Sequence, residues 1–307
     1  MDRSVYQKIV AMAENPEAVE RSIAYAQEHM GRFLKKKEKV LICLQKQDTV
    51  ACRIMEETVL GCECTPVWLE DDFRWMTILK TAFTTKCHCI IGPPLLMLGL
   101  SKVAKHLGTP LFARNVVVSG YPATRWMVEG IEQGLDCCVW GCFDPGFGAV
   151  IAGFSCGKNK GVHLRTEEYG ADVVDDAGEK VPEGQSGNLV LYPKADPTLR
   201  YGLGDQGRMA HGLCRCGSDA PRLLDLETVK FENRELSDLG ESLLCWSSIL
   251  DCRIEKTECG LELELVVFKG EKLPKLPTAA RLIVRAFNPE TDAPFAHHEV
   301  LKRRYLS

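Results

Sequence analysis

The sequence predicts an α/β protein: a parallel-sheet main body with crossover helices, a β-rich segment, and a small C-terminal α+β domain. Three observations predict it. Short apolar runs alternate with amphipathic stretches as far as Cys137–Trp140, the pattern of strand, helix, strand. From about residue 150 to 226, strand patterns and turn residues replace the helical period. Beyond Glu227 the composition shifts again, to a compact helix–hairpin–helix pattern. The expected division is a main domain over 1–228, with N-terminal helices within 1–37, and a lid-like C-terminal domain over 229–307.

Residues 3–13 and 16–36 read as helices. The second starts at Pro16, with Glu17 and Glu20 in its first turn, and ends in Lys35, Lys36 and Lys37. Acid first and base last suits the helix dipole. Val40–Leu44 is a short apolar run of the kind buried in parallel sheets. A helix is expected over Thr49–Leu60, a strand over Thr65–Leu69, and a helix over Asp72–Thr84. Strand Cys87–Ile91 then runs into Gly92-Pro93-Pro94, and a helix covers Leu95–Leu107. Val116–Val118 is the next strand, Arg125–Gly134 a helix, and Cys137–Trp140 a strand. Asp175–Glu179 reads as a hairpin turn and Ser186–Tyr192 as a strand. Helix Glu235–Trp246, hairpin Cys252–Thr257 with Leu261–Phe268, and helix Thr278–Phe287 complete the chain.

The 307 residues are 45% hydrophobic and 26% charged, which is globular composition with room for a large core. A formal charge of −4 gives no reason to expect nucleic acid or a membrane surface as partner. No apolar run approaches the ~20 residues of a spanning helix. Met-Asp-Arg-Ser-Val-Tyr-Gln lacks a signal core, so a cytoplasmic protein is expected. Fifteen cysteines, an odd number in a long chain, fit reduced thiols better than disulfides. Most read as core residues and some as metal ligands.

Two stretches carry a distinctive motif set. Val116–Val118 leads to Ser119-Gly120-Tyr121-Pro122, a helix, a strand, and Trp140-Gly141-Cys142-Phe143-Asp144. Farther on come Tyr169–Asp175, Gly178, Pro182-Glu183-Gly184, Gly187-Asn188-Leu189-Val190, Leu199-Arg200-Tyr201-Gly202-Leu203-Gly204-Asp205 and Cys214-Arg215-Cys216-Gly217. Together they resemble the adenylate-forming (AMP-binding) superfamily, in a shortened form of its phenylacetate–coenzyme A ligase branch. The resemblance covers roughly residues 38–270 and is densest over 116–217. Its most specific part is the pairing of Arg-Tyr-x-x-Gly-Asp with Cys-x-Cys-Gly.

The resemblance implies roles. Asp205 would accept both ribose hydroxyls of an adenylate, as a carboxylate can; a loop-capping aspartate is the plainer alternative. Trp140, followed by Gly141, would stack on adenine, or else be a core tryptophan at a strand end. Asp144 would hold magnesium or polarise the carboxylate, where the family has the longer Glu. Arg200 and Tyr201 would support the nucleotide loop, and Lys302 would stand for the C-terminal catalytic lysine. Three departures stand beside this. No Ser/Thr/Gly-rich phosphate loop occurs before Lys39, and Thr81–Lys86 has hydroxyls and a lysine but no glycine. Leu223–Thr228 replaces the Gly-Arg-x-Asp-Asp hinge. Val300 occupies the lysine position if Lys302-Arg303 end the C-terminal motif.

Cys156, His163, Cys214 and Cys216 form the best metal set: three thiolates and an imidazole make a closed, structural zinc site. Members of the resembled branch carry zinc here, and His211 competes as the nitrogen ligand. A second thiol set is Cys62 and Cys64 with Cys87 and Cys89, on strand ends that could share a face.

The expected function is therefore that of an adenylate-forming ligase relative. It would bind ATP or an acyl-adenylate, with magnesium, and activate a small carboxylic acid, perhaps onto coenzyme A. The alternative is a catalytically degenerate homologue that binds a nucleotide, an acyl ligand or a partner protein. A homodimer is compatible with either, and a zinc-stabilised interaction module is a third reading.

Overall fold

The computed structural model describes residues 7–8, 11–12, 14–44, 50–69, 72–143, 151–157, 161–228, 234–279 and 281–295. Most of the expected helix over 3–13, the acid Asp144 and the base Lys302 lie outside these residues.

Alternation of side chains along short strands dictates the first layers. Strands β1 (Lys39–Ile42), β2 (Thr65–Trp68), β3 (Cys89–Gly92), β4 (Asn115–Val118) and β5 (Cys138–Phe143) are all parallel, in spatial order β2-β1-β3-β4-β5. Val40, Ile42, Cys89, Ile91 and Val117 face one way, against helices α1 (Pro16–Met30) and α2 (Val50–Gly61). Leu41, Ile90, Val116 and Val118 face the other way, against α3 (Trp75–Thr85), α4 (Pro94–His106) and α5 (Arg125–Leu135). Strands covered on both faces need apolar residues at successive positions, which is how the runs Val40–Ile42 and Val116–Val118 read.

Helix α1 starts as expected, with Pro16 in its first turn and Asn15 Oδ1 accepting from the Glu17 N–H at 2.9 Å. It ends at Met30, six residues short of the expected Lys36. Gly31 follows it, and the chain then turns so that Leu34 enters the core.

After β5 the sheet turns antiparallel. Strands β6 (Gly153–Ser155), β7 (Val162–Leu164), β8 (Tyr169–Val174), β9 (Ser186–Pro193), β10 (Tyr201–Ala210) and β11 (Arg222–Thr228) extend it in the order β5-β6-β7-β11-β10-β9-β8. The turn expected at Asp175 is present: its Oδ1 accepts from the N–H groups of Ala177 and Glu179, both at 2.9 Å.

The C-terminal residues build a second sheet. Helix α6 (Arg234–Leu244) leads to strands β12 (Ile249–Thr257), β13 (Gly260–Val267) and β14 (Arg281–Ala286), ordered β12-β13-β14. The helix expected over Thr278–Phe287 is not there. Arg281–Ala286 instead pairs in parallel with Glu262–Val267. The β-branched Ile283 and Val284 suit a strand, and a neighbouring ladder outweighs a short stretch's helical period.

Helix α4 links the two sheets. Its first eight residues, Pro94–Ser101, are buried all round. A helix apolar on every side must be covered on every side. The parallel sheet covers one side; Ile249, Cys252, Ile254, Leu263 and Leu265 of the second sheet share the same core. Each such residue contributes about 1.5–3 kcal/mol by leaving water. Lys102 adds a polar tie, its Nζ donating to the carbonyls of Leu244 (2.6 Å), Ile249 (2.7 Å) and Trp246 (3.1 Å). No described helix is long and apolar enough to cross a membrane.

Candidate metal centre and nucleotide-site residues

The metal-type residues come from three places that the antiparallel strands bring together. Cys156 follows β6 directly, His163 sits within β7, and Cys214 and Cys216 lie on the loop from β10 to β11. His163 is paired with Arg222 of β11, so the loop before β11 passes over the end of the β6–β7 hairpin. The loop closes tightly: Cys214 N–H donates to the Ser218 carbonyl at 2.8 Å and Gly217 N–H to the Cys214 carbonyl at 2.9 Å. Gly217 has φ +92°, a conformation that only glycine adopts without strain.

One ligand atom from each of the four residues lies within 4.8 Å of all the others, and three of the four residues are buried. Cys156 Sγ and Cys214 Sγ are 3.7 Å apart, and Cys216 Sγ is 3.4 Å from His163 Nε2. A tetrahedral zinc with Zn–S of about 2.3 Å and Zn–N of about 2.0 Å requires edges of about 3.8 Å between sulfurs and about 3.5 Å from sulfur to nitrogen. The two separations fit both edges. His163 Nδ1–H faces the Ala220 carbonyl at 3.3 Å, which leaves Nε2 free for a metal.

The thiols of the loop differ. Burial raises the Cys214 pKa, but hydrogen bonds from the Cys216 backbone and from the Cys216, His163 and Cys156 side chains outweigh it and bring it down to about 6. Burial pushes Cys216 up, so Cys214 is the first of this pair to become a thiolate. His211, the competing nitrogen ligand, is not part of the cluster; it is exposed, and its N–H donates to Glu183 Oε1. Nor do Cys62, Cys64, Cys87 and Cys89 form one: among the described residues the four-member cluster is the sole metal-type group. Cys64 Sγ instead donates to the Lys35 carbonyl at 3.2 Å, and Cys89 is fully buried, with its thiol pushed well up by burial.

The residues implied in nucleotide binding are dispersed. Strand β5 runs to Phe143, not to Trp140 as expected, so Trp140 sits inside the ladder opposite Val117. Its Nε1–H donates to Asn115 Oδ1 at 2.9 Å, and its ring stacks on Phe33 with centroids 4.3 Å apart and planes at 16°. The Gly141 N–H donates to Ser155 Oγ at 2.8 Å. Arg200 binds Asp172 Oδ2 at 2.7 Å and lies over the Tyr192 ring, while Lys180 holds the other oxygen of Asp172 at 2.8 Å. Burial works against the Asp172 charge, yet these two cations keep its carboxyl below the ordinary range. Tyr201 is 2% exposed, in a core with Leu189, Leu191, Leu199 and Leu226. Asp205 is buried on β10, at a register break between Gly202 and Gln206, opposite Thr228. Strands β6, β7 and β11 stand between Trp140 and Asp205 in the sheet.

Sequence reasoning missed Phe33, Asn115, Ser155 and Asp172 as partners of these residues. Phe33 and Asn115 carry no motif. Gly157, directly after a candidate ligand, was the one visible signal.

No family model and no curated protein sequence matches the chain. Solved structures do. A 2-hydroxyisobutyryl-CoA ligase in the postadenylation state, in complex with 2-HIB-AMP, superposes with a TM-score of 0.69 at 16% identity, over 93% of this chain and 69% of the ligase. The same ligase in the thioesterification state, with 2-HIB-AMP and CoA, gives 0.59 at 17% identity, over 93% and 68%. A benzoate CoA ligase from Burkholderia xenovorans LB400 gives 0.55 at 12% identity, over 86% of this chain and 62% of that one. Likeness at such identities speaks for architecture alone. The chain has the fold of the adenylate-forming enzymes, acyl-CoA ligases among them.

Proposed function

We propose that this protein is a zinc-stabilised relative of the AMP-forming acid–coenzyme A ligases, which binds an adenylate or acyl-adenylate and whose reaction class is activation of a carboxylic acid. The fold likeness to a ligase that holds 2-HIB-AMP, over 93% of this chain, carries the reading. In it Asp205 accepts the ribose hydroxyls. Gly141 borders the nucleotide, and Asp144 holds magnesium or polarises the reacting carboxylate. Lys302 neutralises charge on the attacked phosphate, and coenzyme A is the acceptor. Residues 229–307 act as a small domain over the main body. ATP, magnesium and a panel of small carboxylic acids, followed by pyrophosphate release, test the reaction. Release with any acid, dependent on Asp144 and Lys302, is the expected outcome; none with any acid removes the turnover.

Cys156, His163, Cys214 and Cys216 would hold the zinc. With four protein ligands the metal has no open position, so it contributes folding free energy and not Lewis acidity. It ties the β6–β7 hairpin to the β10–β11 loop.

A specific observation favours the second reading, a homologue that binds ligand without turnover. No Ser/Thr/Gly-rich phosphate loop occurs before Lys39, although adenylation must neutralise charge on the attacked phosphate. AMP binding without pyrophosphate release would select it.

A further inference from the structure

Gly157, which follows Cys156, is fitted to one side chain, and that side chain is Trp140. Cys142 pairs with Phe154 across β5 and β6. One step on, the ladder is replaced by a side-chain bond, from Gly141 N–H to Ser155 Oγ at 2.8 Å. Two residues beyond Ser155, Gly157 lies against the indole: a Cβ there would stand 2.6 Å from the six-membered ring. Glycine is needed twice over, because this residue also has φ +65°. Cys156 stands between the last two of these contacts, with its Sγ 3.7 Å from Cys214 Sγ.

The indole is itself immobilised. Phe33 stacks on it at 4.3 Å, and Asn115 Oδ1 accepts from its Nε1 at 2.9 Å. Phe33 belongs to the turn after α1, and Asn115 begins β4. Two elements besides β5 itself therefore fix one ring, and the ring sets how far the Gly157 backbone approaches β5. A thiolate at a closed metal site must be placed within a few tenths of an ångström, because bond lengths at the metal leave little latitude. Residues outside the ligand set that orient the ligands govern how well a metal is held.

We propose that Trp140 is a positioning residue of the metal centre: stacked on Phe33 and in contact with Gly157, it holds Cys156 in place for the metal. This rests on the zinc reading above. It also gives the aromatic of the Trp-Gly-x-x-Asp motif work other than stacking on adenine. Two features make the fit selective for a flat, wide side chain. Phe33 stacks on a ring, and the contact at Gly157 is made by the outer atoms of the six-membered ring, which a branched aliphatic side chain lacks.

The test measures zinc content, then zinc release to an excess of a chromogenic chelator. It uses the full chain and its Trp140→Leu, Trp140→Phe and Phe33→Leu variants. The parent protein should hold one zinc per chain. Trp140→Leu should release it at least tenfold faster, Phe33→Leu should move the same way, and Trp140→Phe, which keeps a ring for Phe33 but loses the Asn115 bond, should fall between Trp140→Leu and the parent. Cobalt-loaded protein supplies a readout independent of rate: the thiolate-to-cobalt absorption should weaken or shift in Trp140→Leu and be partly restored in Trp140→Phe. If the parent holds no zinc, the metal reading itself fails. If it holds zinc and Trp140→Leu and Phe33→Leu release it at the parental rate, with unchanged cobalt spectra, the positioning role is overturned. Phe33→Leu leaves β5 intact, so the question is still answered if Trp140→Leu does not fold.

Discussion

Single residues decide most of the chemistry proposed here. Cys214 is the most deeply buried of the four candidate ligands, at 2% exposed, and its Sγ lies 3.7 Å from Cys156 Sγ. Cys214→Ser should lose the zinc and about 3 kcal/mol or more of stability, read as a drop in the thermal midpoint that added zinc does not repair. His29 offers a test of pH dependence. It packs between Tyr25 (4.2 Å) and Phe154 (5.4 Å), and its Nδ1–H donates to the Tyr25 carbonyl at 2.9 Å. Burial, the largest effect, lowers its pKa below 6.5, and the hydrogen bond only partly offsets that. The unfolded chain therefore takes up this proton first as pH falls. The stability contributed by neutral His29 is complete above about 6.5 and is lost below it. His29→Gln should show a flatter fall in its urea midpoint between pH 7.5 and 5.5 than the parent; an unchanged slope would rule His29 out as a source. The four metal-type residues were legible in the sequence because ligand chemistry restricts them to Cys and His. The surroundings of Trp140 were not, because Phe33 and Asn115 reach it from distant elements and obey no spacing rule.

Among the elements, α4 says most about how the molecule is held together. Its Gly99 lets Trp75 lie directly on the helix, where a Cβ would come within 2.1 Å of the indole. Lys102, one turn on, donates to three carbonyls at the end of α6 and the start of β12, where a cation also meets the negative end of a helix. Lys102→Met should cost about 2 kcal/mol, since it leaves those carbonyls with one fewer charged donor. Hydrogen exchange of α6 and β12 should quicken while β1 and β3 are unaffected. Uniform quickening would mean that the second sheet does not open separately. Strands β1, β3 and β4 could be read from their apolar runs, because burial on both faces leaves a clear signature. The strand Arg281–Ala286 could not, since six residues with half-exposed Leu282 and Val284 satisfy either period, and only pairing with β13 decides. The end of β5 was misplaced for a similar reason: Gly141 resembles a strand stop, but Ser155 supplies the bond that carries the strand past it.

At the scale of the whole molecule, a three-layer parallel body and an antiparallel segment share one sheet; one core joins the parallel body to the second sheet, and the antiparallel strands have a core of their own. The order of element types along the chain was enough to expect the parallel body and the β-rich segment, because βαβ units constrain topology strongly, but not the core that the second sheet shares with the parallel body. What does not follow from topology is whether the fold still serves a nucleotide. The central claim is that it does, through Asp205. Titration calorimetry of the zinc-loaded protein with AMP tests this most directly, with adenine and Asp205→Ala as the comparisons. The account predicts saturable AMP binding at millimolar concentration or below. It also predicts weaker binding of adenine, and a loss of about ten- to a hundredfold in Asp205→Ala, the value of one charged hydrogen bond. No heat of binding with millimolar AMP, or equal binding by the parent and Asp205→Ala, would contradict it.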